Sequence, residues 1–486
     1  MKVSRSIIWN VCGTTFPLLV GIAVIPAIIR HLGVVRFGVL SVVWMMMGYF
    51  SVFDLGLSRT LTKVTADRVG TSAEHEIPSL VTTTLVLVAT SGAILAILIA
   101  AASRIIAERI LSVPMSMLGD VSHAITWLAI GLPFVLVATV LFGVLEGLHR
   151  FATTSLVRLP LGVLMFLLPF GVLPFTVHLG PITAALTALR VAVAVVLGWI
   201  TLRIIPGIRM ARTWFRRDQV RPLITYGGWL TVSNFVGPLL VYFDRFVIAA
   251  VLGATAIAYY TVPFDTVNRL LILPTAVQAV LFPAFATLRT HSPARVVAVF
   301  EKSSEKTLLV MFPALLGIML LAKPALNLWV GPVFANQSSI VAQALMVGVF
   351  VNSLARAPLV LVQGYGYARW TGLLHLSELP VYGACLWALL KWNGIDGAAY
   401  AWTARVLVDT LILYVMAGRL ERGLVPVAIR NTAWMSVACA GAILLNVVTH
   451  GTPIRVALVV LAALSCGSLI LQDVRKAVLA RGESAA

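Results

Sequence analysis

The sequence predicts an all-α, polytopic membrane protein with about fourteen spanning helices. Hydrophobic residues fill 60% of its 486 positions and charged residues only 11%, where soluble domains carry roughly 25% charge. The mean hydropathy is +0.99. The apolar residues fall in runs near the ~20 residues that a spanning helix needs, not in the period-two alternation of an outer-membrane barrel. Most of the charges sit in short connections between the runs. These observations exclude a soluble enzyme, a disordered scaffold and a secreted disulfide-bonded domain.

The expected spans are 6–29, 38–61, 80–102, 123–145, 159–178, 182–203, 223–250, 259–287, 306–330, 339–363, 370–390, 395–417, 432–449 and 454–471. The first follows Met1-Lys2-Val3-Ser4-Arg5 and runs on past Ile29 with no small-residue cleavage pattern, so it reads as a helix and not as a signal peptide. Prolines inside later runs, such as Pro133, Pro169, Pro313 and Pro358, are kink candidates that membrane helices tolerate. No connection is long enough to fold as a separate domain. Cys12, Cys385, Cys439 and Cys466 each stand alone in apolar sequence, which reads as packing. No P-loop, HExxH or GxSxG stands in a connection, so neither a metal, nor a cofactor, nor an enzymatic site is expected.

The net charge of +18 would suggest nucleic acid in a soluble chain. Here orientation explains it and nucleic acid is not expected as a partner. With a cytoplasmic N-terminus, 24 of the 36 Lys and Arg fall on the cytoplasmic side, six outside and six within spans. That bias predicts that both termini are cytoplasmic. The most basic connection follows the sixth span. It divides the chain into a six-helix bundle (1–205), a basic cytoplasmic loop (206–222), a second six-helix bundle (223–418), two appended helices (432–471) and a cytoplasmic tail (472–486). An internal echo supports the halves: Trp9, Pro17 and Leu32-Gly33 recur at nearly the same spacing as Trp229, Pro238 and Leu252-Gly253.

Charges in mid-membrane cost at least ~2.5–3.5 kcal/mol each, so they face a partner or a polar cavity. Asp54, Arg190, Asp244, Arg245, Asp265, Arg269, Lys323, Arg356, Glu378, Arg405 and Asp409 form such a set. Asp265/Arg269 and Arg405/Asp409 are four apart and share a helical face, so each pair can neutralise itself. The alternative is that Arg190, Arg245, Arg269, Arg356 and Arg405 line one wet chamber and hold an anionic headgroup, which the planar guanidinium suits. Adjacent Asp244 and Arg245 point about 100° apart on a helix, so they cannot form a simple facing pair. His375 and Glu378, three apart before Pro380, are candidates for proton relay; a plain interhelical hydrogen bond is the alternative. Lys323 can snorkel to the interface. Arg30 and Arg36 bracket the first outer turn, while Asp54 and Arg59 mark the inner end of the second span; Arg30, Asp54 and Arg59 are gating candidates, with ordinary interfacial or packing roles as the alternative.

With these residues laid out, the chain resembles the Wzx-type oligosaccharide flippases of the MOP exporter superfamily. The resemblance rests on Arg30-His31-Leu32-Gly33, Arg36-Phe37-Gly38, Phe53-Asp54-Leu55-Gly56-Leu57, Tyr242-Phe243-Asp244-Arg245-Phe246, Leu328-Trp329-Val330-Gly331-Pro332, His375-Leu376-Ser377-Glu378-Leu379-Pro380 and Gly394-Ile395-Asp396-Gly397, with Arg405 and Asp409 downstream. It implies a V-shaped, MATE-like pair of six-helix bundles with two extra C-terminal helices, and alternating access to a cationic central cavity. The implied cargo is an undecaprenyl-pyrophosphate-linked oligosaccharide, moved to the outer leaflet for O-antigen or exopolysaccharide synthesis. Membrane lipid, a polysaccharide polymerase and a chain-length regulator are the implied partners. The resemblance would place ion coupling on Asp265, Glu378 and Asp409, and the relay spacing adds His375 to them.

Two other readings compete. A cation or drug antiporter of the same superfamily should carry a net acidic, aromatic-lined pocket, whereas the set here has six basic and five acidic members. A membrane polymerase or ligase would need a sizeable outer loop, and the outer connections are short.

Overall fold

The computed structural model describes residues 2–49, 56–69, 71, 74–205, 207–210, 243–275, 281, 285 and 293–483. Among these, every regular element is helical. Contacts divide the chain into two units, Met1–Ala258 and Tyr259–Ala486. The first holds α1 (Lys2–Tyr49), α2 (Leu57–Arg68), α3 (Ile77–Ala101), α4 (Leu118–Gly147), α5 (Phe151–Val172), α6 (Leu179–Ile204), α7 (243–252) and the start of α8 (Ala254–Asn268). The second holds the rest of α8, α9 (Pro293–Trp329), α10 (Pro332–Gly364), α11 (Ala368–Leu420), α12 (Val425–Val448) and α13 (Thr452–Glu483). Most of the expected basic loop at 206–222 lies outside the described residues.

Ten helices among the described residues are long and apolar enough to cross a membrane. They carry twelve of the fourteen expected spans, because α1 and α11 each contain two. A single residue separates the halves in each case: Gly33 at φ 75° in α1 and Gly394 at φ 59° in α11. Only glycine takes these backbone angles without strain. Both are true reversals. In α1, a Cβ on Gly21 would meet the Phe166 ring, and Trp44 donates to the Met165 carbonyl, so the two halves lie at one level beside α5. In α11, a Cβ on Gly397 would stand 2.0 Å from the Leu389 carbonyl oxygen. Gly253, which echoes Gly33 in the sequence, also has a positive φ (81°) and separates α7 from α8.

The second expected span, 38–61, is shorter than the hydropathy suggests. Its helix is described to Tyr49, and a left-handed Gly56 opens the separate α2. Ser58, Arg59, Thr60, Thr62 and Lys63 make α2 too polar to prolong a span. The seventh and eighth expected spans fall partly outside the described residues.

The lateral surfaces of the helices are apolar in a way water would penalise. Ile94, Ile97 and Leu98 on α3 are 62%, 69% and 60% exposed, and α12 presents Val437, Leu444 and Val448 similarly. Contiguous exposure of this kind is expected of surfaces that meet lipid. Packing inside the first unit uses close backbone approach. An ideal Cβ on Gly38 would lie 2.0 Å from the Ala254 carbonyl oxygen, so only glycine lets α1 and α8 touch there. In the second unit, Trp402 is buried between Phe264 and Gly348, its ring edge-on to Phe264 at 5.4 Å.

Candidate functional site: a charged cluster inside the second unit

The core-facing side of α11 reads Thr371, Leu374, Glu378, Tyr382, Leu386 and Leu390 before the reversal, and Trp402, Val406, Asp409 and Leu413 after it. The spacing is that of one helical face. Each stripe is apolar except at one level, where Glu378 and Asp409 are only 8% exposed. The Gly394 reversal brings the two halves alongside, so these levels meet.

Arg405 Nη1 donates to Glu378 Oε2 at 3.5 Å, with the side chains 11% and 8% exposed. His375 Nε2 lies 3.5 Å from Asp409 Oδ1, a contact that makes no hydrogen bond and is ionic only with the imidazole protonated. The four residues therefore pair across the two halves of α11, not within Arg405/Asp409 along one helix. The Arg405 guanidinium also lies over the Tyr382 ring, 5.5 Å from its centre. Arg356 on α10 is electrostatically coupled to Asp409, and the Asp409 and Glu378 carboxyls adjoin one another. Two arginines, two carboxyls and a histidine thus occupy one buried level.

The cluster keeps unused valence. Glu378 Oε1, Asp409 Oδ1, Arg405 Nε and Arg356 Nε are all buried without a hydrogen-bond partner. Charge-assisted bonds contract to about 2.7–2.9 Å when optimised, and both of these contacts are longer. Chemically, the arrangement can accept a proton on a carboxyl or imidazole, and it can donate guanidinium N–H groups to an anion.

Asp265 is half-buried on α8, and Arg269 is exposed on the short helical turn Arg269–Leu271 that follows. In the first unit, Asp244 and Arg245 are buried to 0% and 2% exposure, and the Arg245 amide donates to Asp244 Oδ1 at 2.8 Å. Arg190 is half-buried on α6, with a buried Nε that no protein acceptor meets. Arg30 is exposed. Asp54 lies outside the described residues, as does the side chain of Arg59.

Two features were not anticipated from the sequence. Tyr382 belongs to the cluster, and its position four residues after Glu378 was the available signal. Asp120, at the start of α4, accepts hydrogen bonds from the Leu179 and Gly180 amides at 3.0 and 3.1 Å. It therefore caps the N-terminus of α6 from another helix, with Arg36 and His178 at 3.8 and 3.6 Å.

The fold and the buried charges define a multi-pass helical membrane protein built like MOP-superfamily transporters. The inward-closed Lipid II flippase MurJ matches with a TM-score of 0.71 at 12% identity, over 96% of this chain and 99% of that one. An inward-facing multidrug resistance MATE family transporter of the MOP superfamily matches with a TM-score of 0.70 at 14% identity, over 89% and 99%. The chain belongs to the family described as polysaccharide biosynthesis protein, whose pattern matches residues 3–289. A Shigella flexneri protein that carries the provisional name of O-antigen transporter is 28% identical over 420 residues, covering 85% of this chain and 97% of that relative.

Proposed function

We propose that the protein is a flippase, not an enzyme, and that it moves undecaprenyl-pyrophosphate-linked oligosaccharide from the inner to the outer leaflet of the cytoplasmic membrane by alternating access. The observation that carries this reading is the level of α11 at which Arg405 pairs with Glu378 and His375 adjoins Asp409, with Arg356 under the electrostatic influence of Asp409 and several buried polar atoms without hydrogen-bond partners. Family membership and the naming of the Shigella relative point to a polysaccharide precursor as cargo. Arg356 and Arg405, with Arg190, Arg245 and Arg269 elsewhere in the chain, are the proposed partners of the diphosphate. A guanidinium stays charged when desolvated, so it can take up phosphate oxygens without water.

Glu378, Asp409 and His375, with Asp265, are the proposed ion-coupling groups. A proton arriving on either carboxyl weakens its hold on a neighbouring cation and frees a guanidinium for the cargo. Release of the cargo lets the guanidinium return and expel the proton. Proton and cargo are thus taken up together and given up together, which couples the two. Arg30, Asp54 and Arg59 are the proposed gate residues. The proposed setting has both termini in the cytoplasm and a polymerase with its chain-length regulator consuming the product.

The test is flipping of a fluorescent undecaprenyl-diphosphate oligosaccharide in proteoliposomes with and without a pH gradient. Arg356→Ala and Arg405→Ala should each lower the rate at least about tenfold, the value of one strong charge-assisted contact. Glu378→Gln should leave a residual rate that no longer responds to the gradient. Full activity in both arginine variants would refute the diphosphate assignment. Unchanged gradient dependence in Glu378→Gln would clear that residue of coupling. A MATE-like antiporter reading predicts instead that organic cations compete with the lipid.

A further inference from the structure

At one end of the second unit, the turn between α9 and α10 and the turn between α12 and α13 enclose a cleft of about 430 Å³. Lys323, Asn327, Asn336, His450 and Arg455 supply its polar wall, and none of its lining residues is acidic. Arg455 is already engaged. Its guanidinium donates to the carbonyls of Leu320, Asn446 and Thr449, tying the α12–α13 turn to α9 while leaving its charge in the wall. Lys323 and His450 are exposed. The C-terminal ends of α9 and α12 and the starts of α10 and α13 all adjoin the cleft, so the helix dipoles offset one another and its positive charge comes from the side chains.

A shallow, open apolar groove lined by α13 alone continues from the cleft, sharing Thr452 with it and running past Pro453, Val456, Val460, Leu461 and Leu464. The opposite side of α13 is used for packing: Val459 lies 3.6 Å from the Cβ position of Gly317 on α9. The groove is therefore a shaped surface on a helix anchored to the unit.

We propose that the cleft and groove together bind one anionic glycerophospholipid. Its phosphate takes the N–H donors of Lys323 and His450, Asn327 and Asn336 take the glycerol oxygens, and one acyl chain lies along Val456, Val460 and Leu464. A cationic, acid-free cleft selects negative charge, and the groove needs a hydrocarbon chain, so neither free phosphate nor a neutral lipid satisfies both parts. The site stands apart from the Glu378–Asp409 cluster and does not depend on which cargo the protein moves. Its consequence is that anionic lipid clamps the appended helices α12 and α13 to α9.

The test uses the purified full chain in detergent, with native mass spectrometry and thermal melting as readouts. Phosphatidylglycerol should remain bound and raise the melting temperature; phosphatidylcholine and inorganic phosphate should do neither. The double substitution Lys323→Gln/His450→Gln should weaken phosphatidylglycerol binding at least about tenfold. Val460→Trp, which fills the groove, should weaken it with the cleft intact. Lys323→Arg, which keeps the cation, should bind as the native chain does and so shows that the fold tolerates substitution there. Native affinity in the double variant, equal retention of phosphatidylcholine, or equal stabilisation by phosphate alone would each overturn the proposal. So would displacement of phosphatidylglycerol by undecaprenyl phosphate at lower concentration.

Discussion

Arg405 and Glu378 meet at 3.5 Å across 27 residues of sequence, one on each of the two helical halves of α11 that Gly394 folds back on each other. Neither group is otherwise neutralised by its own helical neighbours. Removing one partner leaves the other as a buried, uncompensated charge, which typically costs about 3–5 kcal/mol. Arg405→Ala should therefore lower the melting temperature of the purified protein sharply, and adding Glu378→Gln should recover most of the loss. An equal effect of Glu378→Gln in the native and Arg405→Ala backgrounds would show that the pair is energetically uncoupled.

Gly38 offers a second test. A methyl group there would stand 2.0 Å from the Ala254 carbonyl oxygen, which is backbone and cannot swing aside. Gly38→Ala should destabilise by at least about 1–3 kcal/mol, seen as reduced protein in the membrane fraction and a lower melting temperature. Normal yield and melting would mean that α1 and α8 separate without penalty.

Asp120 is expected to act through the α6 amides it caps. Asp120→Ala should cost about 1–2 kcal/mol, the usual value of a lost N-cap, while Asp120→Asn keeps an acceptor and should cost less. Hydrogen exchange supplies the local readout: protection at the first turn of α6 should fall in the alanine variant.

Gly394→Ala addresses the reversal itself. The glycine sits at φ 59°, ψ −141°, a region that side chains enter only with about 1–3 kcal/mol of strain. A distance measured between spin labels at positions 385 and 404 should broaden in the variant. A native distance distribution would show that the turn tolerates a Cβ.

The hydropathy of the chain carries the helical architecture plainly, because lipid forces backbone groups to pair within each helix. Residues of the second-unit cluster were legible too, since charges in apolar runs stand out wherever they occur. Their pairing was not. Arg405 and Asp409 are four apart, the spacing at which a helix pairs its own side chains, and sequence spacing cannot show that Gly394 folds a second face against them. Asp120 escaped notice because the amides it serves lie 59 and 60 residues away. A cap supplied by another helix leaves no local pattern.

The single-residue reversals at Gly33 and Gly394 bear on how the protein is made. A span joined to its successor by one glycine offers the insertion machinery no long tether on which to pause, so each such pair is expected to enter the bilayer together, as a hairpin. Tags or protease sites placed at these vertices would pry the hairpin open, and topology mapping there would report the probe's disturbance and not the native turn.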